Sequence, residues 1–359
     1  MIFNRRNKLI NANFKVGDTY IENVKTFTYL GFVLSAKNCH FQNTIDDLNI
    51  KANRAIFALR NGTKLSKLPV KLALKIFNSQ IVPILLYGSE VWGPYIDKKF
   101  KTWDLTNIER TQSKFLKQIL GCNYQTSNNM VRADTGCRPL ITQIITRHIS
   151  YIIKIKRNTS KLSYDAFMYE KDNFATPNFT HFLEKFNINT ETCLNSRNIN
   201  KLCHGAYDRC WKENITNSSK AVSFYKYKFN IYLDPYLLNL NPRLRIALSR
   251  FRLSNHSLWI EKGRHMKPMI ERNKRFCDFC KTEIEDEHHF LLLCPLYSPN
   301  RIILENVCRS TCNRYDSLNG NAKFIFIMSN ENKGLIKALS IYVSEGMRLR
   351  DKMVEYFFT

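Results

Sequence analysis

Cys277, Cys280, His289 and Cys294 lie within FCDFCKTEIEDEHHFLLLCP, spaced as C-x2-C, eight residues, then H-x4-C. Two cysteines two apart offer both sulfurs to one ion from a single knuckle. A downstream His and Cys complete a tetrahedral set of three sulfurs and one nitrogen. Four protein donors leave no open position for water or substrate, so the expected chemistry is structural Zn2+ binding rather than catalysis. His288 is adjacent and competes with His289 for the nitrogen position; the other reading of the cluster is a set of buried free cysteines. Glu283, Glu285, Asp286 and Glu287 precede HHFLLL, where acidic residues favour a helix N-terminus.

Other chemical groupings are weaker. Cys193, Cys203, His204 and Cys210 fit no usual knuckle spacing, Cys308 and Cys312 share a helical face, and Cys39, Cys122 and Cys137 have no visible partner. Gly88 and Gly93 have the separation of a phosphate-binding loop, but Pro94 and Tyr95 follow where Lys and Ser or Thr are needed. The chain has no GxGxxG, GxSxG or HExxH. Asp46-Asp47 is a carboxylate pair of the kind that holds two metal ions in polymerases. It falls in the first turn of an expected helix, where acidic side chains are ordinary. No catalytic residue is assigned.

Charge points to the partner. The 359 residues carry 55 Lys plus Arg against 30 Asp plus Glu, a formal +25. Such an excess is what a polyanion-binding protein uses, because cations that neutralise phosphates release condensed counterions. The excess is densest over 243–275, where Arg243, Arg245, Arg250, Arg252, Lys262, Arg264, Lys267, Arg272, Lys274 and Arg275 face only Glu261 and Glu271. Phe251, Trp259 and Phe276 are interleaved, as core or as stacking platforms. RNA or DNA is therefore the expected partner. The longest apolar run, 81–87, contains Pro83 and is far short of the roughly 20 residues of a membrane span. The N-terminal sequence lacks a signal-length apolar core, and 11 cysteines do not pair into a disulfide framework. An intracellular setting, nucleus or cytoplasm, is expected.

The elements that must position these residues are mainly α. Glycine is scarce, with 12 residues. Apolar spacing predicts helices over 44–59, 70–86, 104–120, 141–156, 199–215, 302–312 and 334–357, the first with Thr44 as N-cap and Asp47 three residues on. Residues 13–35 alternate aromatic, β-branched and polar types around Gly17-Asp18, which predicts a hairpin and a following strand. The polar, Asn-rich stretch 173–200 is expected to be a loose connector, and Pro235 and Pro242 mark a second break.

The order of motifs resembles the C-terminal part of reverse transcriptases from non-LTR (LINE-like) retrotransposons. TFTYLGFVLS is similar to the segment just after the polymerase palm in that family, and IVPILLYGSEVWG with IERTQSKFLKQILG to its helical thumb. FRLSNHSLWIEKGR followed by FCDFC and DEHHFLLLCP is similar to its terminal basic segment and zinc knuckle, with Cys277, Cys280, His289 and Cys294 as ligands. The F/Y-x-D-D motif of such polymerases is missing, so nucleotide addition by this chain alone is not expected.

The resemblance implies a β remnant over 1–38, a helical thumb-like domain over 39–140, a helical connector over 141–242, a basic segment with zinc knuckle over 243–315, and C-terminal helices over 316–359. It implies a duplex gripped by its backbone through Lys98, Lys99, Lys101, Arg110, Lys114 and Lys117, which needs positive charge and shape but no base contacts. Arg250, Arg252, His256, Arg264 and Arg275 would contact RNA or DNA beside the knuckle. A complete reverse transcriptase chain is a further candidate partner. The competing reading is a zinc-stabilised helical scaffold whose partner is protein.

Overall fold

A computed structural model of the chain describes residues 1, 2, 10, 12–36, 41–96, 102–173 and 198–358. Cys39, Lys98, Lys99, Lys101, Cys193 and most of the expected connector 173–200 lie outside the described residues. The fold is mainly helical, with a small β element at its N-terminal end. No single helix among the described residues is long and apolar enough to cross a membrane.

The β element is two antiparallel hairpins rather than a hairpin and a lone strand. Strand β1 (Phe14–Val16) pairs with β2 (Thr19–Ile21), and β3 (Thr26–Tyr29) with β4 (Phe32–Ser35). Gly17 in the first turn and Leu30 and Gly31 in the second adopt positive φ, as tight hairpin turns require.

Fifteen helices are described. They are α1 (Gln42–Gly62), α2 (Val70–Ile76), α3 (Val82–Leu85), α4 (Ser89–Trp92), α5 (Asn107–Leu120), α6 (Asn128–Thr135), α7 (Leu140–Lys156) and α8 (Leu162–Asn173). After the undescribed stretch come α9 (Ile199–Thr216), α10 (Tyr236–Asn239), α11 (Pro242–Arg252), α12 (Trp259–Lys262), α13 (Ser298–Thr311), α14 (Gly320–Ser329) and α15 (Lys333–Phe358). The run expected over 70–86 is a single helical path whose middle, Phe77–Ile81, is a π turn just before Pro83. Proline donates no backbone N–H, and a widened turn accommodates that.

The chain forms two compact units. The first comprises Met1–Gly62, Lys75–Gln112 and Pro139–Arg209. Here Thr44 is not an N-cap. It sits inside α1, and its hydroxyl receives the Val33 N–H at 3.0 Å and donates to the Val33 carbonyl at 3.1 Å, tying the helix to β4. Trp92 and Ile144 are buried where α4 meets α7, and Glu109 of α5 accepts the Ile141 N–H at the start of α7 at 2.6 Å. Gly88, at φ +65°, lies against the Phe32 ring, where a Cβ would come within 2.1 Å of a ring carbon.

The second unit comprises Thr63–Leu74, Ser113–Arg138 and Cys210–Thr359. Its spine is α15, against which α11 and α13 pack. Phe290 fills the centre, with its ring centroid 4.5 Å from Tyr297, 5.2 Å from Phe251 and 5.4 Å from Tyr342. Gly346 on α15 makes room for that ring, since a Cβ there would lie 2.7 Å from Phe290.

Candidate metal centre

The knuckle begins as a miniature hairpin. Phe276 bridges Ile284, Cys277 donates its N–H to the Glu283 carbonyl at 2.9 Å, and Lys281 turns the chain at φ +59°. That turn lets Cys277 and Cys280 face the same point. The second half uses a π turn, His289–Leu293, closed by the Cys294 N–H on the His289 carbonyl at 2.9 Å. Residues five apart fall out of phase on an α-helix, whereas an i to i+5 hydrogen bond brings them into register. The H-x4-C spacing is therefore the spacing of the π turn.

Cys277, Cys280, His289 and Cys294 converge, with their donor atoms all within 4.8 Å of one another. The Cys277 and Cys294 sulfurs are 3.9 Å apart, and the Cys280 sulfur is 3.4 Å from His289 Nε2. A tetrahedral ion with metal–sulfur bonds of about 2.3 Å and a metal–nitrogen bond of about 2.0 Å needs edges of roughly 3.5–3.8 Å. Two of the contacts are close to those edges, and drawing in the widest pair by about 1 Å lets the cluster hold a metal ion. Cys277, Cys294 and His289 are buried. His288 points elsewhere, with its ring 5.7 Å from that of Phe324 and its Nε2 against Gly320, so His289 is the nitrogen donor of the cluster.

Among themselves the donors share protons. The hydrogen bond with Cys294, together with burial, pushes the Cys277 thiol up to about 12, and the same contact lowers Cys294. Burial opposes the charging of His289, but its contact with Cys277 outweighs that and raises it. A divalent cation would take the place of those protons.

The acidic run does more than dress a helix end. Asp286 accepts the His289 N–H at 2.9 Å and so caps the π turn. Glu285, 1% exposed, receives Arg350 of α15 at both oxygens and the Trp259 N–H at 2.7 Å. Glu287 is also buried. Burial opposes its ionisation, but the bond and charge of His256 and the Ser223 hydroxyl bring it down to about 2.

Most of the arginines expected at a nucleic-acid surface are engaged inside the protein. Arg252 is buried. It binds Asp134 through Nε at 3.1 Å, Asp234 through Nη2 at 2.8 Å and the Met328 carbonyl at 2.6 Å, and Lys228 completes the network 3.1 Å from Asp234. Arg275, also buried, donates to the carbonyls of Ile260 and Ile270. His256 meets Glu287 at 3.1 Å. Arg264 meets Glu261 at 3.2 Å. Arg250 is exposed but donates to the Gly121 carbonyl at 2.7 Å. Arg110 and Lys114 are exposed one turn apart on α5, while Lys117 is buried and donates to the Tyr124 carbonyl.

A further set of solvent-exposed cations lies between Arg252 and Arg275. Lys262, His265, Lys267, Arg272 and Lys274 are exposed along 262–276, as are Met266, Met269 and Phe276. The buried Arg275 pins this loop from beneath. Pro268 and the lack of helical apolar spacing are the sequence features that mark the stretch as a loop, and loops carry their charges outward. No family model, curated protein or solved structure matches this chain.

Proposed function

We propose that this chain is a nucleic-acid-binding module of the non-LTR reverse transcriptase kind, in which structural Zn2+ holds a knuckle that presents the basic loop 262–276 to RNA or DNA. The sequence carries no F/Y-x-D-D motif, and a complete reverse transcriptase chain is a natural partner. The observation that carries the reading is the loop itself. Four cationic side chains, His265 and three apolar residues stand in solvent, with Glu271 paired to Lys274 at 3.0 Å, on a segment that runs directly into the ligand Cys277. Lysines and arginines spaced this way neutralise phosphates, and Phe276, 46% exposed, offers a ring face to an unpaired base. Zinc supplies no chemistry to a substrate in this arrangement. When bound it fixes the knuckle, and Arg275 transmits that fixed geometry to the loop through its bonds to Ile260 and Ile270.

The test is binding of the zinc-loaded protein to single-stranded RNA, duplex DNA and an RNA-DNA hybrid over a salt series. Affinity should fall steeply with salt, and Lys267→Ala with Arg272→Ala and Lys274→Ala should flatten the slope by about 0.7–0.9 for each phosphate that is no longer neutralised. Absence of binding at low salt would overturn the reading and leave a protein-binding scaffold.

A further inference from the structure

The second unit carries an apolar groove that takes no part in the metal centre. It runs between α13 and α15, encloses about 260 Å3, and has Leu304, Val307, Ala338 and Tyr342 along its floor. Its walls are unusually exposed for their chemistry. Ile303 is 67% and Ile341 38% exposed. Contiguous exposed isoleucines on two packed helices cost solvation unless something covers them.

The charges along α15 indicate what does. Lys337 and Glu345 border the groove, are both exposed, and stand four residues to either side of Ile341. A second α15 laid antiparallel across the first, with a two-fold axis through Ile341, sets Lys337 opposite the other copy's Glu345 and repeats that pair by symmetry. The same axis brings Ile341 onto its own counterpart and carries each Ile303 toward the other groove. An isologous contact requires this kind of self-complementarity, in which one patch matches itself after rotation. A chance partner has no reason to mirror the charge order about a central apolar residue.

We propose that the groove between α13 and α15 is a homodimer interface, occupied by the same helices of a second copy of this chain. The apolar floor supplies the buried area and the two Lys337–Glu345 pairs set the antiparallel register. The interface lies on elements that neither bind the metal nor form the loop 262–276, so it stands independently of the function proposed above.

Sedimentation velocity of the full chain over a concentration series is the test. The protein is expected to sediment as a dimer at micromolar concentration, and Ile303→Arg, a change at an exposed position, to give a folded monomer with unaltered circular dichroism. Lys337→Glu and Glu345→Lys should each weaken association by on the order of tenfold, since every substitution breaks two symmetric pairs. The double variant should regain wild-type affinity. A monomer at all concentrations would overturn the proposal, as would a dimer indifferent to Ile303→Arg or a double variant no better than the singles.

Discussion

Arg350 grips Glu285 at two points, Nε to Oε1 and Nη2 to Oε2, each at 2.7 Å, with both side chains almost wholly buried. Glu285 lies between the two pairs of metal donors, and Arg350 lies near the end of the longest described helix. The pair therefore fastens the knuckle to the spine of its unit. Arg350→Ala would leave a buried carboxylate unpaired and should cost about 3–5 kcal/mol in denaturant unfolding. Arg350→Lys, which keeps charge but loses the fork, should fall between the two. Equal stability of all three proteins would show the pair to be dispensable.

The two adjacent histidines separate cleanly. His289→Ala should abolish stoichiometric metal binding, and Cys280→Ser should reduce it, each with a lower melting temperature. His288→Ala should keep full metal content because its ring packs on Phe324. Metal analysis of the three purified variants decides it, and loss of metal from the His288 variant would refute the ligand set. Chelation of the wild type should unfold the knuckle, since structural sites of this kind contribute about 10–16 kcal/mol.

Basic residues of one segment should divide into two classes. Arg252→Ala leaves Asp134 and Asp234 with one charged partner, Lys228, beside the Tyr236 hydroxyl on Asp134, and should destabilise the protein by about 3–5 kcal/mol. Lys267→Ala and Arg272→Ala, both on the exposed loop, should each change stability by no more than about 0.5 kcal/mol. Urea titrations of the three proteins make the comparison, and similar costs would contradict the burial pattern.

Alkaline pH should reveal the buried phenols. Burial raises Tyr227, Tyr236, Tyr315 and Tyr342 above the ordinary value. A group whose folded pKa is raised adds stability that is complete below its unfolded pKa, about 10, and is lost as pH climbs beyond it. The phenolate absorbance of these four residues should appear only together with loss of circular dichroism. Ionisation of all 17 tyrosines in one step with the fold intact would count against this account.

Periodicity made the long helices legible. The helix over 141–156 was expected within one residue of α7, and 334–357 within one of α15, because apolar residues at three- and four-residue spacing continue through both. Helix α11 was read as a break because of Pro242. Proline at the first helical position is favourable, and Asn241 before it caps the helix by accepting the Leu244 N–H at 3.0 Å. Thr44 was legible as a capping residue type, but its hydroxyl found a strand eleven residues back instead. The cluster of Cys277, Cys280, His289 and Cys294 was legible because it is local, with all four side chains inside one short stretch. The fate of the arginines was not. A charge count sees Arg252 but not Asp134, its acceptor 118 residues away.

That separation also sets a schedule. The second unit is assembled from Thr63–Leu74, Ser113–Arg138 and Cys210–Thr359, interrupted by stretches that belong to the first. During synthesis Asp134 emerges and then waits for Arg252. At about 5–20 residues per second that interval is roughly 6–24 s. Until Lys228 and then Arg252 emerge, α6 holds a carboxylate without the two cations that accompany it into the interior of the unit. The ribosome therefore delivers the second unit in three instalments, and no single contiguous stretch of the chain contains it.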